Sequence, residues 1–188
     1  EKPSLFPANP VERRCRIAVA KDEAFNFYYQ ANIELLDAWG AEISYFSPMI
    51  DRSLPPGTDG VYIGGGFPEV FLSELEANTA MKQALKDAVD GGMPVYAECG
   101  GLMYLSESIA DFQGRQYDMA GLLPGCCRMQ GKLQRLGYTV AKNLKNTPLA
   151  EPGQFLRGHL FHWSKLEEPA EDTAAYRIIE PREQFEGF

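Results

Sequence analysis

Apolar residues in the first half of the chain occur in short, mostly apolar runs that alternate with longer stretches of helical periodicity. Cys15 to Ala20 is a run of the first kind and predicts a strand. The next stretch places Phe25, Tyr29, Ile33 and Leu36 on one side of a predicted helix. Asn26, Gln30, Glu34 and Asp37 fall on the other side, and Gly40 ends it. Ala41 to Phe46 predicts a second strand, followed by a loop with Pro48, Pro55, Pro56 and Gly57. Gly60 to Ile63 predicts a third, which runs into Gly64-Gly65-Gly66. Asn78 is placed to cap a helix whose Met81, Leu85 and Ala88 face a core, and Gly91-Gly92 closes it. Met93 to Ala97 predicts a fourth strand, and Leu102 to Ile109 a helix.

This alternation predicts an α/β fold with a mostly parallel sheet and helices on both faces. Such sheets bind ligands at the carboxyl ends of their strands, near a switch in strand order. The Asp22 loop, the Gly64–Gly66 loop and Cys99 all follow strands, so all three are expected on that edge. The second half reads differently. Leu133 to Lys142, Phe155 to Lys165 and Tyr176 to Glu180 predict strands without helices between them, hence antiparallel additions to the sheet edge. Arg115 to Gly131, with Pro124-Gly125 and the Cys126-Cys127 pair, reads as a loop region.

Composition narrows the function classes. At 188 residues and 45% hydrophobic content the chain can bury a real core as one domain. A net charge of −8 argues against a nucleic-acid partner. No apolar run approaches a membrane span, and the start has no signal-peptide core. The four cysteines lack CxxC spacing, which favours a reducing cytoplasm over a disulfide framework or a zinc site. The polar opening, residues 1–14, reads as a linker entered from an upstream domain, which makes the chain a piece of a larger protein.

Cys99 carries the sharpest chemistry. It stands between a predicted strand and a predicted helix and is followed by Gly100-Gly101, the logic of a nucleophile elbow. A helix N-terminus there would favour thiolate and lower the thiol pKa. The competing reading is a small apolar core residue. Gly64-Gly65-Gly66 lacks the spacing of a P-loop or of a dinucleotide fingerprint. It is either a plain turn or a set of backbone donors for an oxyanion, and its place beside the cysteine favours the donors. A cysteine nucleophile needs a base, and the chain has only His159 and His162. On a strand, their spacing puts them on opposite faces, so at most one can point at Cys99. Spacing alone does not choose between a base and a pair of structural histidines.

Several motifs together resemble one family. They are Ala20-Lys21-Asp22-Glu23-Ala24-Phe25-Asn26-Phe27-Tyr28-Tyr29, Gly64-Gly65-Gly66-Phe67-Pro68-Glu69, Ala97-Glu98-Cys99-Gly100-Gly101-Leu102-Met103-Tyr104-Leu105 and Gly121-Leu122-Leu123-Pro124-Gly125. These look like the C-terminal glutamine amidotransferase domain of cobyrinic acid a,c-diamide synthase. Arg157 to Ser164 resembles that family's Arg-Gly-His-Glu-Phe-His-Tyr-Ser motif, with Leu160 in place of Glu. Cobyric acid synthase is a sister family with the same nucleophile.

The resemblance covers about Arg16 to the end and implies a class I, flavodoxin-like amidotransferase fold over 15–188. It implies that Cys99 attacks L-glutamine, with Gly65, Gly66 and Gly100 amides as oxyanion-hole candidates. It also implies an upstream synthetase domain, using ATP and magnesium, that activates carboxylates of a tetrapyrrole. No cofactor or metal is implied for this domain, nor a nucleic-acid or membrane partner. The family's own base lies in a segment beyond the position matching Phe188. The domain is therefore expected to be truncated at its C-terminus, with His162 as a substitute base and weak or no activity alone. A nickel-tetrapyrrole amidotransferase, another cysteine hydrolase of this fold and an inactive binding domain are the alternatives.

Overall fold

The computed structural model describes residues 4–167, 174–180 and 184–186. They form two compact units that divide between Leu105 and Ser106. The first unit contains β1 (Cys15–Ala20), α1 (Gln30–Ala38), β2 (Ala41–Phe46) and β3 (Gly60–Ile63). A 3-10 turn (Pro68–Val70), α2 (Leu72–Ala77), α3 (Thr79–Asp90), β4 (Val95–Ala97) and α4 (Gly100–Leu105) complete it.

Its sheet is wholly parallel, in the order β2-β1-β3-β4. The chain moves from β1 to one side for β2, then to the other side for β3 and β4. Because crossovers of this kind are right-handed, the reversal puts α1 and the α2–α3 pair on opposite faces. It also opens a crevice beyond the carboxyl ends of β1 and β3, where the Asp22 and Gly64 loops begin. Val19, Ile33 and Tyr62 form a buried cluster, with Ile17, Tyr28, Leu36, Ile43 and Tyr96 packed on it. The polar opening lies against this unit. The Leu5 carbonyl accepts from the Trp39 indole at 2.9 Å, and Arg13 pairs with Asp37 at 2.7 Å.

The first helix begins later than its periodicity predicts. The Asp22 carboxylate accepts from the Ala24 and Phe25 amides at 2.9 and 3.1 Å, and the Phe27 amide donates to the Gly65 carbonyl at 3.1 Å. These bonds commit residues 22–27 to a loop. Phe25 is buried there, while Tyr29, predicted on the core face, is 64% exposed just ahead of the helix. Asn78 caps α3 as expected, accepting from the Met81 amide at 3.3 Å, with Met81 and Leu85 buried. The helix predicted over 102–109 stops at Leu105. Ser106 Oγ donates to the Ser108 carbonyl at 2.9 Å, a local bond that competes with helix, and Ser106–Ala110 becomes β5.

The second unit supplies the expected antiparallel pairing, in two four-stranded sheets of its own rather than on the edge of the first. One is ordered β10-β7-β5-β6, from β6 (Gln116–Asp118), β7 (Leu123–Met129) and β10 (Ser164–Glu167). The other is β12-β11-β8-β9, from β8 (Arg135–Asn143), β9 (Phe155–His162), β11 (Tyr176–Glu180) and β12 (Gln184–Glu186). The loop predicted over 115–131 is thus largely strand. Gly125 has φ 101°, and a Cβ there would overlap the Glu167 carbonyl. Pro124-Gly125 therefore marks an irregularity inside a strand, where β5 and β7 shift register, and not a loop. The strand predicted over 155–165 is interrupted at Trp163.

Candidate active site

The end of β3 and the elbow after β4 are stitched together by backbone bonds. The Glu98 amide donates to the Ile63 carbonyl, and the Gly101 amide to the Gly64 carbonyl, both at 3.0 Å. Gly101 also donates to the Glu98 carbonyl at 2.9 Å, closing a tight turn over Cys99. Cys99 has φ 53°, and among the described residues it is the one non-glycine residue in the left-handed region. A residue other than glycine is held there only when its surroundings dictate it.

The glycines around it are required by close approach. A Cβ on Gly101 would overlap the Ile63 carbonyl, one on Gly66 the Ala24 carbonyl, and one on Gly64 the Tyr28 ring. A Cβ on Gly100 would stand 2.9 Å from Pro68 Cδ. Gly65 is packed against Cys99 itself, with its Cβ position 3.6 Å from the sulfur. The Cys99 sulfur accepts from the Gly100 and Gly66 amides. Two predicted donors therefore converge on the nucleophile candidate, while Gly65 contributes its carbonyl to Phe27.

The thiol pKa moves opposite to the sequence expectation. Cys99 keeps solvent-exposed surface, yet its walls remove enough water that burial pushes the thiol up, and the Gly100 and Gly66 amides only partly offset this. The Glu69 and Glu98 charges push in the same direction as burial. A helix of six residues does not outweigh them.

Tyrosines brace the edge. Tyr28 donates its hydroxyl to the Ala20 carbonyl at the end of β1 and accepts from the Gly64 amide at 2.9 Å. Burial pushes the Tyr28 phenol up to about 12. Tyr62 donates to Glu98 Oε1 at 2.6 Å and Tyr96 donates to Oε2 at 3.0 Å, so the carboxylate beside the elbow is held at both oxygens. Burial first, then Glu98, raises the Tyr62 pKa. Asp22 accepts from Ser47 Oγ at 2.8 Å and the Met49 amide at 3.1 Å besides its loop amides, which makes it a structural member of this edge.

Cys99, Gly65, Gly66 and Gly100 are thus brought together in the first unit; His159 and His162 lie on β9 of the second. The unbroken register from Arg135↔His162 to Lys142↔Phe155 puts the two histidines on opposite faces, as their spacing predicts. The His159 ring meets the edge of Tyr138 at 5.6 Å. His162 Nδ1 donates to the Ser164 carbonyl at 2.8 Å. Sequence reasoning missed Tyr28, Tyr62, Tyr96 and Glu98. The Tyr28 and Tyr62 hydroxyls join separate segments and Tyr96 reaches Glu98 two residues on, and periodicity records none of this.

A cysteine at positive φ between a parallel strand and a short helix, facing a glycine loop, defines a class of α/β domain with an elbow at its strand ends. The particular family is explicit: the chain belongs to the CobB/CobQ-like glutamine amidotransferase domains, whose family model matches residues 16–188. It is 57% identical over 99% of its length to a cobyrinate a,c-diamide synthase of Dehalococcoides mccartyi, and 48% identical over 90% to one of Caldanaerobacter subterraneus. The chain spans 41% and 37% of the length of those two relatives. The structure of PurLQS from Thermotoga maritima matches with a TM-score of 0.62 at 16% identity, over 90% of this chain and 76% of that one. A crystal structure of a glutamine amidotransferase matches at 0.59 and 13% identity, over 86% and 79%. These two likenesses establish the shared fold.

Proposed function

We propose that this chain is the glutaminase part of a cobyrinic acid a,c-diamide synthase. The observation that carries the reading is Cys99 at φ 53°, its sulfur turned to the Gly66 and Gly100 amides. In this reading the Cys99 thiolate attacks the side-chain carboxamide carbon of L-glutamine. The oxygen of the tetrahedral intermediate takes the hydrogen bonds of the glycine loop and Gly100, each such donor contributing about 2.7–4 kcal/mol. The C–N bond then breaks, the nitrogen gains a proton and leaves as ammonia, and a γ-glutamyl thioester remains. Water hydrolyses it to glutamate.

The ammonia serves an ATP- and magnesium-dependent synthetase domain of the same polypeptide, which activates corrin carboxylates for amidation in cobalamin biosynthesis in the cytoplasm. The identity to diamide synthases supports that assignment. His162 is carried as the substitute base candidate because its motif resembles the family's histidine-bearing segment. The test is glutamine-dependent amidation by the full-length protein. Cys99→Ala should abolish it while leaving amidation from free ammonia intact; retained glutamine use would contradict the reading.

A further inference from the structure

Glu69 lies three positions after Gly66, in the 3-10 turn Pro68–Val70. That turn is fixed against the site. The Phe67 amide donates to the Ala24 carbonyl at 2.9 Å, and buried Pro68 packs against Gly100. The backbone carrying Glu69 is therefore tied to both glycines whose amides bond the Cys99 sulfur. The carboxylate is half-buried and takes a hydrogen bond from its own backbone amide. Among the described residues no cation pairs with it.

Its neighbour Glu98 makes a useful contrast. Both charges act on Cys99, but Glu98 is satisfied by the Tyr62 and Tyr96 hydroxyls. Burial disfavours the charged form of Glu69, and the hydrogen bond from its own amide opposes this without reversing it. A half-buried carboxylate without a counter-ion is costly, and the turn that carries this one packs through Pro68 against Gly100, next to Cys99. The cost is removed when a ligand brings the cation.

We infer that Glu69 receives the α-ammonium of the substrate, so that the site selects a free α-amino acid amide over the same amide lacking the amino group. This rests on the glutaminase reading above. It also links recognition to chemistry: an ammonium at Glu69 neutralises a charge that opposes the Cys99 thiolate, so the correct substrate favours its own nucleophile.

The test is the rate of covalent labelling of Cys99 in the full-length protein, which needs no turnover. The probes are the diazo-ketone analogue of L-glutamine, its counterpart without the α-amino group, and iodoacetamide. The unmodified protein should label at least about tenfold faster with the amino-bearing analogue, the scale of one charge-assisted hydrogen bond. Glu69→Gln should bring that rate down to that of the deaminated analogue, with iodoacetamide alkylation no slower. Equal rates for the two analogues in the unmodified protein would overturn the inference without any variant. So would a Glu69→Gln protein that keeps the preference. If neither analogue labels Cys99 while iodoacetamide does, the glutaminase reading fails first and the inference with it.

Discussion

Cys99 is in a backbone conformation that an ordinary core cysteine has no reason to hold, with φ 53° and a thiol pushed up by burial. The sequence pointed to the elbow through Gly100-Gly101 but suggested the opposite pKa shift. The helix terminus was legible, whereas the walls of the site and the charges of Glu69 and Glu98 were not. Because the thiolate is the reactive form, iodoacetamide alkylation of Cys99 should rise with pH and level off above the ordinary thiol midpoint of about 8.5. A plateau reached below neutral pH would contradict the balance of burial over amide donation. Gly66 is the second residue-scale test. Gly66→Ala drives a methyl into the Ala24 carbonyl, and backbone gives way less readily than a flexible side chain. It should lose about 1–3 kcal/mol of stability in urea unfolding and the glutaminase activity together.

At the scale of elements, strands predicted from short apolar runs in the first unit match well. The two interior strands β1 and β3 end in consecutive buried residues, Ala18–Ala20 and Val61–Ile63, while β2 at the sheet edge keeps Glu42 and Tyr45 exposed. Elements set by side-chain-to-backbone bonds do not reveal themselves this way. The Asp22 loop displaces the start of α1, and the Ser106 hydroxyl helps to end α4. Pro124-Gly125 reads as a turn but lies inside β7, since the Gly125 conformation accommodates the Glu167 carbonyl. Gly125→Ala should therefore destabilise the second unit, measured as a lower urea midpoint, while the Cys99 site remains reactive.

Tyr28 joins the ends of β1 and β3, so Tyr28→Phe removes the oxygen that receives the buried Gly64 amide and should cost about 1–3 kcal/mol. Its pKa gives an independent sign. The folded value of about 12 exceeds the ordinary 10.0, so the neutral phenol is favoured by folding. That stabilisation is complete below pH 10.0 and is lost as the pH climbs towards about 12. The alkaline fall in stability should be shallower in Tyr28→Phe; an unchanged profile would contradict this.

For the whole molecule, the boundary between the two compact units at Leu105 and Ser106 is what the sequence showed least. The glycine loop and the elbow were legible as one site because both follow parallel strands, and the reversal in strand order puts them on one edge. The histidines were legible as strand residues, and the structure keeps them on β9. One claim remains central: Cys99 and the surrounding glycines form a pocket for glutamine. The most direct measurement is the intact mass of the protein after incubation with the diazo-ketone glutamine analogue, followed by peptide mapping. A single adduct on Cys99, suppressed by excess L-glutamine, is the predicted result. Modification spread over Cys15, Cys99 and Cys126, or labelling of Cys99 that glutamine does not slow, would contradict it.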